Sequence, residues 1–163
     1  MTLGETLPYI VPELVLAVGA MALLIAGVFL GEARARFISL GAVGVLIAAL
    51  IVVVLTPVEP GVSLFSGAFT IDAYASFAKI IIFAAAAVAI LMSDRYLGGD
   101  ELGRFEYPVL IVLSVFGMAM MVSATDLISL YMGVETQSLA LYILAAFNRD
   151  SRRSTEAGLK YFV

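Results

Sequence analysis

The sequence predicts an all-α polytopic membrane protein, a bundle of transmembrane helices. Hydrophobic residues make up 63% of the 163 residues and charged residues only 13%, whereas a typical soluble domain has about 45–50% apolar residues. The apolar residues are grouped in stretches of about 20 residues, the length that an α-helix needs to cross a bilayer core of about 30 Å. These stretches lack strict alternation of apolar and polar residues, so helices are favoured over barrel strands.

Five complete transmembrane helices and the start of a sixth are predicted. They cover residues 11–30, 37–55, 72–92, 107–124 and 127–147, followed by the incomplete segment 156–163. The second connection contains Pro57, Pro60, Gly61 and Gly67, and it is therefore predicted to be an irregular external loop. The fourth connection has room only for a tight turn, so the fourth and fifth helices are expected to form an antiparallel pair.

The sixth segment, EAGLKYFV, is too short to cross a bilayer. Ser154 or Thr155 is expected to cap it, with Glu156 in its first turn. Residues 1–163 are accordingly expected to form a single transmembrane domain that is the amino-terminal part of a longer membrane protein.

The arginines predict the orientation of the chain in the membrane. Seven of them lie in the first, third and fifth connections, and the second and fourth connections contain no Lys or Arg. The seven are Arg34, Arg36, Arg95, Arg104, Arg149, Arg152 and Arg153. Because connections rich in Lys and Arg stay in the cytoplasm, the odd-numbered connections are expected to be cytoplasmic and the amino terminus to lie outside.

The composition excludes several kinds of chemistry. The sequence contains no cysteine and no histidine, which removes disulfides, thiol nucleophiles, zinc sites and imidazole general bases. It also lacks a phosphate-binding loop, a metal-ligand cluster and a basic patch suited to nucleic acid. Proton chemistry would therefore depend on carboxylates, lysines, tyrosines and water.

Glu135 is the main candidate functional residue, because it is a carboxylate in the middle of the fifth helix. A charge at such a position costs about 2.5–3.5 kcal/mol on insertion scales, so a functional role is the default hypothesis. Tyr131, Glu135, Ser138 and Tyr142 are spaced by four, three and four residues, and they therefore form a polar stripe on one helix face. The alternative is a protonated Glu135 that only links two helices by a hydrogen bond.

Two lysines are secondary candidates. Lys79 lies in the third helix and shares a face with Asp72 and Ser76, but its long side chain could instead extend to the membrane interface. Lys160 lies near the cytoplasmic start of the sixth helix, so it is expected at a different depth from Glu135 and without a direct pair. For Lys160 the alternative is an ordinary interfacial lysine.

Two further acidic residues are predicted to have structural roles. Asp126 in the external turn and Glu13, next to Pro12 at the predicted start of the first helix, are both expected to be caps or first-turn acids. Gly27 and Gly31 are expected to allow close helix packing.

The stretch ATDLISLYMGVETQSLALYILAAFNRDSRRSTEAGLKYFV closely resembles the fifth helix, the following loop and the start of the sixth helix in a known family. This is the subunit N family of the bacterial proton-pumping NADH:quinone oxidoreductase, respiratory complex I. The stretches LPYIVPELVLAVGAMALL and FTIDAYASFAKIIIFAAAAVAILMSDRY resemble the first and third helices of that family. The resemblance implies the first part of an antiporter-like bundle of about fourteen helices with inverted repeats.

The resemblance also implies residue roles. Glu135 matches the essential glutamate of the family's fifth helix, and Lys160 matches the lysine near the start of its sixth helix. Lys79 has no matching role in the family. The pumping scheme of the family pairs the glutamate with a lysine on the broken seventh helix, which lies beyond Val163.

At the level of the complex, the resemblance implies a proton-translocating membrane-arm subunit that couples electron transfer from NADH to quinone to proton pumping in the bacterial inner membrane. It implies that this chain binds no cofactor, whereas the complex uses FMN, iron–sulfur clusters and quinone. The expected partners are the lipid bilayer and other membrane-arm subunits, including a neighbouring antiporter-like subunit, but no nucleic acid. A subunit of a multisubunit sodium/proton antiporter and a purely structural membrane subunit are the alternatives.

Overall fold

The computed structural model describes residues 3–57, 62–97 and 104–163, which form a bundle of α-helices with one short hairpin. The elements are α1 (Leu3–Leu30), α2 (Ala35–Leu55), β1 (Val62–Leu64), β2 (Phe69–Ile71), α3 (Ala73–Leu97), α4 (Glu106–Ser123), α5 (Leu127–Ala145) and α6 (Arg152–Phe162). Helices α1 to α5 are each long and apolar enough to cross a membrane. The predicted all-α bundle with five transmembrane helices is confirmed.

Side chains cap the starts of α3, α5 and α6, and two helix starts differ from the expectation. Helix α1 begins at Leu3 rather than near residue 11 and contains Pro8 and Pro12 within it. Helix α6 begins at Arg152, because the hydroxyl of Ser151 accepts a hydrogen bond from the backbone N–H of Ser154 at 3.4 Å. The predicted caps Ser154 and Thr155 were therefore wrong: Ser151 is the first hydroxyl after the preceding turn, and it caps the helix there.

The second connection contains a β-hairpin, so the prediction of an irregular loop was wrong for its second part. Strands β1 and β2 are antiparallel, and Ser63 pairs with Thr70 at the centre of the register. Phe65, Ser66 and Gly67 make the reversal with φ angles of 52°, 57° and 98°, a left-handed conformation that only glycine adopts without strain. Pro60 and Gly61 lie outside the described residues.

The hairpin contacts two other parts of the molecule, α1 and the turn between α4 and α5. Its buried residues Val62, Leu64 and Ile71 form a small apolar cluster with Tyr9 and Ile10 of α1.

On its other side, the hairpin is bound to the turn between α4 and α5. The backbone N–H of Thr125 donates a hydrogen bond to the Ala68 carbonyl at 3.0 Å, and the Thr125 hydroxyl donates one to the Gly67 carbonyl. The hairpin therefore covers the end of the bundle where α1, α3 and α5 begin, which we call the hairpin end.

The main apolar core lies among α1, α2, α3 and α4. Its largest fully buried side chains are Leu16, Leu46, Phe83, Ile90, Val109, Val112 and Val115. Helices α1 and α3 pack mainly against α2 and α4 rather than against each other. Helix α5 lies outside this core and packs against α4.

Glycines allow α4 and α5 to approach closely as an antiparallel pair. A Cβ on Gly117 would lie 2.5 Å from the backbone nitrogen of Gln137, and one on Gly133 would lie 3.0 Å from the carbonyl oxygen of Gly117. The two backbones are thus in direct contact, as small residues permit in membrane helices.

Gly27 and Gly31 were expected from the sequence to allow close packing, and this expectation was right for Gly27 alone. Gly27 packs against the ring of Phe105 and has no room for a Cβ. A Cβ added to Gly31 would have no neighbour within 4 Å. The φ of +71° at Gly31 shows that this glycine serves to end α1.

The α4–α5 contact leads to a stability prediction for the full-length protein. Gly117→Ala is expected to destabilise it by about 1–3 kcal/mol, because the added methyl group overpacks the contact between the helices. Gly44→Ala is the matched control, since a Cβ at Gly44 meets nothing within 4 Å. The thermal unfolding midpoint in detergent should fall for the Gly117 variant alone, and an unchanged midpoint for both variants would contradict the close contact.

Candidate functional site

Glu135 lies midway along α5 with its side chain half-buried, and the other three residues of the predicted stripe share its face. The Tyr131 side chain, 60% exposed, interacts with the Glu135 carboxyl one helical turn along. Ser138 and Tyr142 are half-buried. In the described part of the chain, Glu135 makes no salt bridge to Lys79 or Lys160.

The stripe faces away from α4, the helix that packs most extensively on α5. The buried residues of α5 are Gly133 and Ala140, and Gly133 is the one in backbone contact with α4. Because successive helical residues are rotated by about 100°, Glu135 lies on the opposite side of α5 from Gly133. The carboxyl is therefore on a face that α4 leaves open.

One end of the stripe belongs to the contact between α5 and α6. The ring of Tyr142 lies edge-to-face on Tyr161 and Phe162, with centroid distances of 5.1 Å and 5.4 Å. The Ser154 hydroxyl donates a hydrogen bond to the Ala145 carbonyl at 2.8 Å. Tyr142 thus helps to pack α6 against α5.

Lys160 is at the surface of α6, with 80% of its side chain exposed. Its Nζ lies 3.9 Å from Oε2 of Glu156, whose other oxygen, Oε1, lies 3.5 Å from Nε of Arg152. Such exposed pairs stabilise a protein by roughly 0–1 kcal/mol. The structure does not bring Lys160 to Glu135.

The structure does bring together two charges that the sequence analysis left apart. Nζ of Lys79 lies 2.5 Å from Oε1 of Glu13, and only 4% and 8% of these side chains are exposed. Lys79 therefore does not extend to the interface. Asp72, expected on its face, instead caps α3 by accepting the Ala75 N–H at 2.6 Å.

The prediction that Glu13 is a cap or first-turn acid was wrong. Helix α1 begins at Leu3, so Glu13 lies several turns inside it, buried against Lys79. The pair was missed from the sequence because the first span was predicted to begin at residue 11, which placed Glu13 at the helix end, whereas α1 begins at Leu3.

The prediction for Asp126 was right. Its carboxylate accepts the backbone N–H of Ser129 at 2.6 Å and caps α5. This hydrogen bond to the ionised form lowers the pKa of Asp126 below its usual value. Asp126 is exposed at the hairpin end and makes no contact with the candidate site.

Comparison with known proteins adds information about the family. Residues 124–163, which include Glu135 and Lys160, match the family described as NADH:quinone oxidoreductase/Mrp antiporter, TM. Proteins from Maricaulis maris and Parvibaculum lavamentivorans are 52% and 53% identical to this chain over 99% of its length. A protein from Rhodobacter capsulatus is 49% identical over 94% of the chain. All three are named NADH-quinone oxidoreductase subunit N.

This chain resembles the amino-terminal part of NADH-quinone oxidoreductase subunit N. It spans about a third of the length of the relatives, since the matches cover 34%, 33% and 32% of those proteins. The resemblance expected from the sequence is confirmed and extends over nearly the whole chain.

The buried ion pair leads to a prediction on the stability of the full-length protein. Glu13→Gln and Lys79→Met are each expected to destabilise it by about 3–5 kcal/mol, because each leaves one charge buried without its partner. The double variant is expected to recover most of this loss, since it removes both charges.

The controls are Glu156→Gln and Lys160→Met, which remove the same charges from exposed positions. Thermal unfolding in detergent measures all five variants. If the single Glu13 and Lys79 variants unfold at the temperature of their controls, the pair does not stabilise the protein.

Proposed function

We propose that this chain is the amino-terminal part of a proton-translocating membrane-arm subunit of NADH:quinone oxidoreductase in a bacterial cytoplasmic membrane. The observation that carries the proposal is the position of Glu135. It is an ionisable group within a membrane span, and it lies in the segment that matches the family. The names of the similar proteins support the same complex.

The chemistry we assign to Glu135 is the uptake and release of a proton. In a membrane span, a nearby cation favours the ionised carboxylate, and its withdrawal favours the protonated acid. The open face of the stripe gives a cation from a further part of the protein access to Glu135. Approach and withdrawal would then couple a charge movement to a proton transfer.

The neighbours of Glu135 would support both protonation states. Tyr131 interacts with its carboxyl, and a phenol hydroxyl can either donate a hydrogen bond to the carboxylate or accept one from the acid. Ser138 lies on the same face one turn further along and has the same capacity. Lys160 is proposed as a second proton-carrying group near the other end, separated in depth from Glu135.

Electron transfer is proposed to belong to other subunits of the complex. The chain has no cysteine, so it lacks the thiolates that normally hold an iron–sulfur cluster. FMN, the clusters and quinone would supply the redox chemistry there, and this chain's own residues would carry only protons and charge.

We propose that the hairpin end faces the outside and the other end the cytoplasm, as the arginine distribution indicates. Arg34 lies at the end of α1, and Arg104 and Arg149 lie at the same end of α4 and α5. Exposed apolar side chains such as Phe29 and Phe37 would contact lipid or a neighbouring antiporter-like subunit.

The matching family also includes Mrp antiporters, so a subunit of a sodium/proton antiporter is the second candidate. The names of the similar proteins do not favour it. Purification of the intact protein together with flavin and iron–sulfur subunits would exclude this candidate.

Glu135→Gln in the intact complex tests the proposal. Glutamine keeps the size of the side chain but cannot exchange a proton, so most proton pumping coupled to NADH oxidation is expected to be lost while assembly is normal. Glu32→Gln is the control, because it makes the same change at an exposed residue between α1 and α2. Pumping is measured as acidification in vesicles, with assembly followed on native gels.

Normal pumping by a normally assembled Glu135→Gln complex would remove Glu135 from the mechanism. If the chain is instead a purely structural subunit, substitution of both Glu135 and Lys160 would lower assembly but leave the turnover of each assembled complex unchanged.

A further inference from the structure

A pocket of about 220 Å³ lies under the hairpin, beside the buried ion pair. Its walls come from α1, the hairpin and the end of α4, and most of them are apolar, including Leu64, Phe69 and Met120. Three residues with polar groups also line it, Tyr9 and Glu13 of α1 and Ser123 at the end of α4. We call it the hairpin pocket.

Glu13 and Ser123 each carry a buried oxygen that has no hydrogen-bond partner among the described residues. Oε1 of Glu13 is held by Lys79, but Oε2 accepts no hydrogen bond from the described residues, and the same is true of Oγ of Ser123. Glu13 and Ser123 are only 6% and 3% exposed. An unpaired buried polar group costs about 1–3 kcal/mol, and more when it is charged, so a hydrogen-bond partner at these oxygens would stabilise the protein.

Water is the ligand that fits this pocket. A water molecule takes up about 30 Å³ in the liquid and needs two to four polar partners when buried, so the pocket has room for several. It can donate to the carboxylate and both donate to and accept from the hydroxyl. A cation is a poorer fit, because the Lys79 ammonium already neutralises Glu13.

We propose that the hairpin pocket binds water on Glu13 and Ser123, and that the Glu13–Lys79 pair is a second protonatable centre that exchanges protons with this water. The centre is separate from Glu135, which lies on α5, outside the core that surrounds the pair. An ionisable pair within a membrane span is a functional site by default, and here one carboxylate oxygen remains available for a proton.

The exchange is a simple proton transfer. A hydronium ion in the pocket gives its proton to Oε2 of Glu13, which forms the acid and leaves one water molecule. The net charge of the pair then changes from zero to +1, and release of the proton reverses the step. Tyr9 is the other titratable residue that lines the pocket, and it lies one turn before Glu13 on the same helix.

The position of the pocket favours exchange with the aqueous phase at the hairpin end. Among the described residues, the hairpin lies over the pocket on that side, through residues such as Leu64 and Phe69. The pair would therefore exchange protons with one side of the membrane. The proton-exchange part of this inference rests on the proposed function, whereas the binding of water does not.

Hydroxyl-radical labelling of the intact protein tests the binding of water. Radicals formed from bound water oxidise adjacent side chains, so Met120, which lines the pocket, is expected to be labelled faster than Met118, which packs on the apolar core. Ser123→Ala should slow the labelling of Met120. Ser114→Ala, at a buried serine of the same helix outside the pocket, should not.

Equal labelling of Met118 and Met120, or no effect of Ser123→Ala, would overturn the hydrated pocket. This result does not depend on whether the chain pumps protons.

Proton exchange is tested in the intact complex with the double variant Glu13→Gln/Lys79→Met, which keeps the site neutral. The expected result is normal assembly with fewer protons pumped per electron. A wild-type ratio in an assembled complex would show that the pair serves stability alone and would overturn the exchange. If the double variant does not assemble, Ser123→Ala and Ser114→Ala replace it, because both keep the ion pair intact. Only Ser123→Ala is expected to lower the number of protons pumped per electron. Equal numbers for the two serine variants would overturn the proposal.

The Glu135→Gln variant separates this proposal from the proposed function. Normal pumping by Glu135→Gln would contradict the role of Glu135. The labelling of Met120 would still decide whether the hairpin pocket holds water.

Discussion

A bilayer has no water to hydrate a buried charge, and this constraint governs how the polar residues of the bundle are arranged. A charged side chain within a span must meet an opposite charge, reach the interface or remain open to a partner. Glu13 and Lys79 satisfy it by pairing at 2.5 Å. Their helices pack mainly on α2 and α4 rather than on each other, so the pair is a direct link across the core between α1 and α3.

Glu135 meets the same constraint in a different way. It is half-buried on a face that α4 leaves open, beside Tyr131, and neither Lys79 nor Lys160 neutralises it. The difference follows from the packing of the helices, because α3 lies within the core and α5 lies at its edge. The two glutamates therefore have distinct environments: Glu13 is paired within the core, and Glu135 is open to a partner from outside it.

The hairpin connects these two regions. It packs on α1 close to Glu13 and is hydrogen-bonded to the turn that starts α5. Its left-handed turn at Phe65, Ser66 and Gly67 allows a connection of only a few residues to reverse direction and fold over the end of the bundle. The result is a pocket lined by Glu13 and Ser123. It forms because α1, the hairpin and the end of α4, which are separate in sequence, meet there.

The sequence by itself determined the number of membrane spans, the polar stripe on α5 and the capping of α5 by Asp126. Each depends on residues within one helix or one turn, where apolar length, spacing and hydrogen bonds to the nearest backbone groups decide the outcome. Only the tertiary structure decided that Glu13 pairs with Lys79, that residues 62–71 form a hairpin and that Gly27, unlike Gly31, packs against another residue. These features depend on which helix faces lie against each other, and the distances that decide them join residues far apart in the chain.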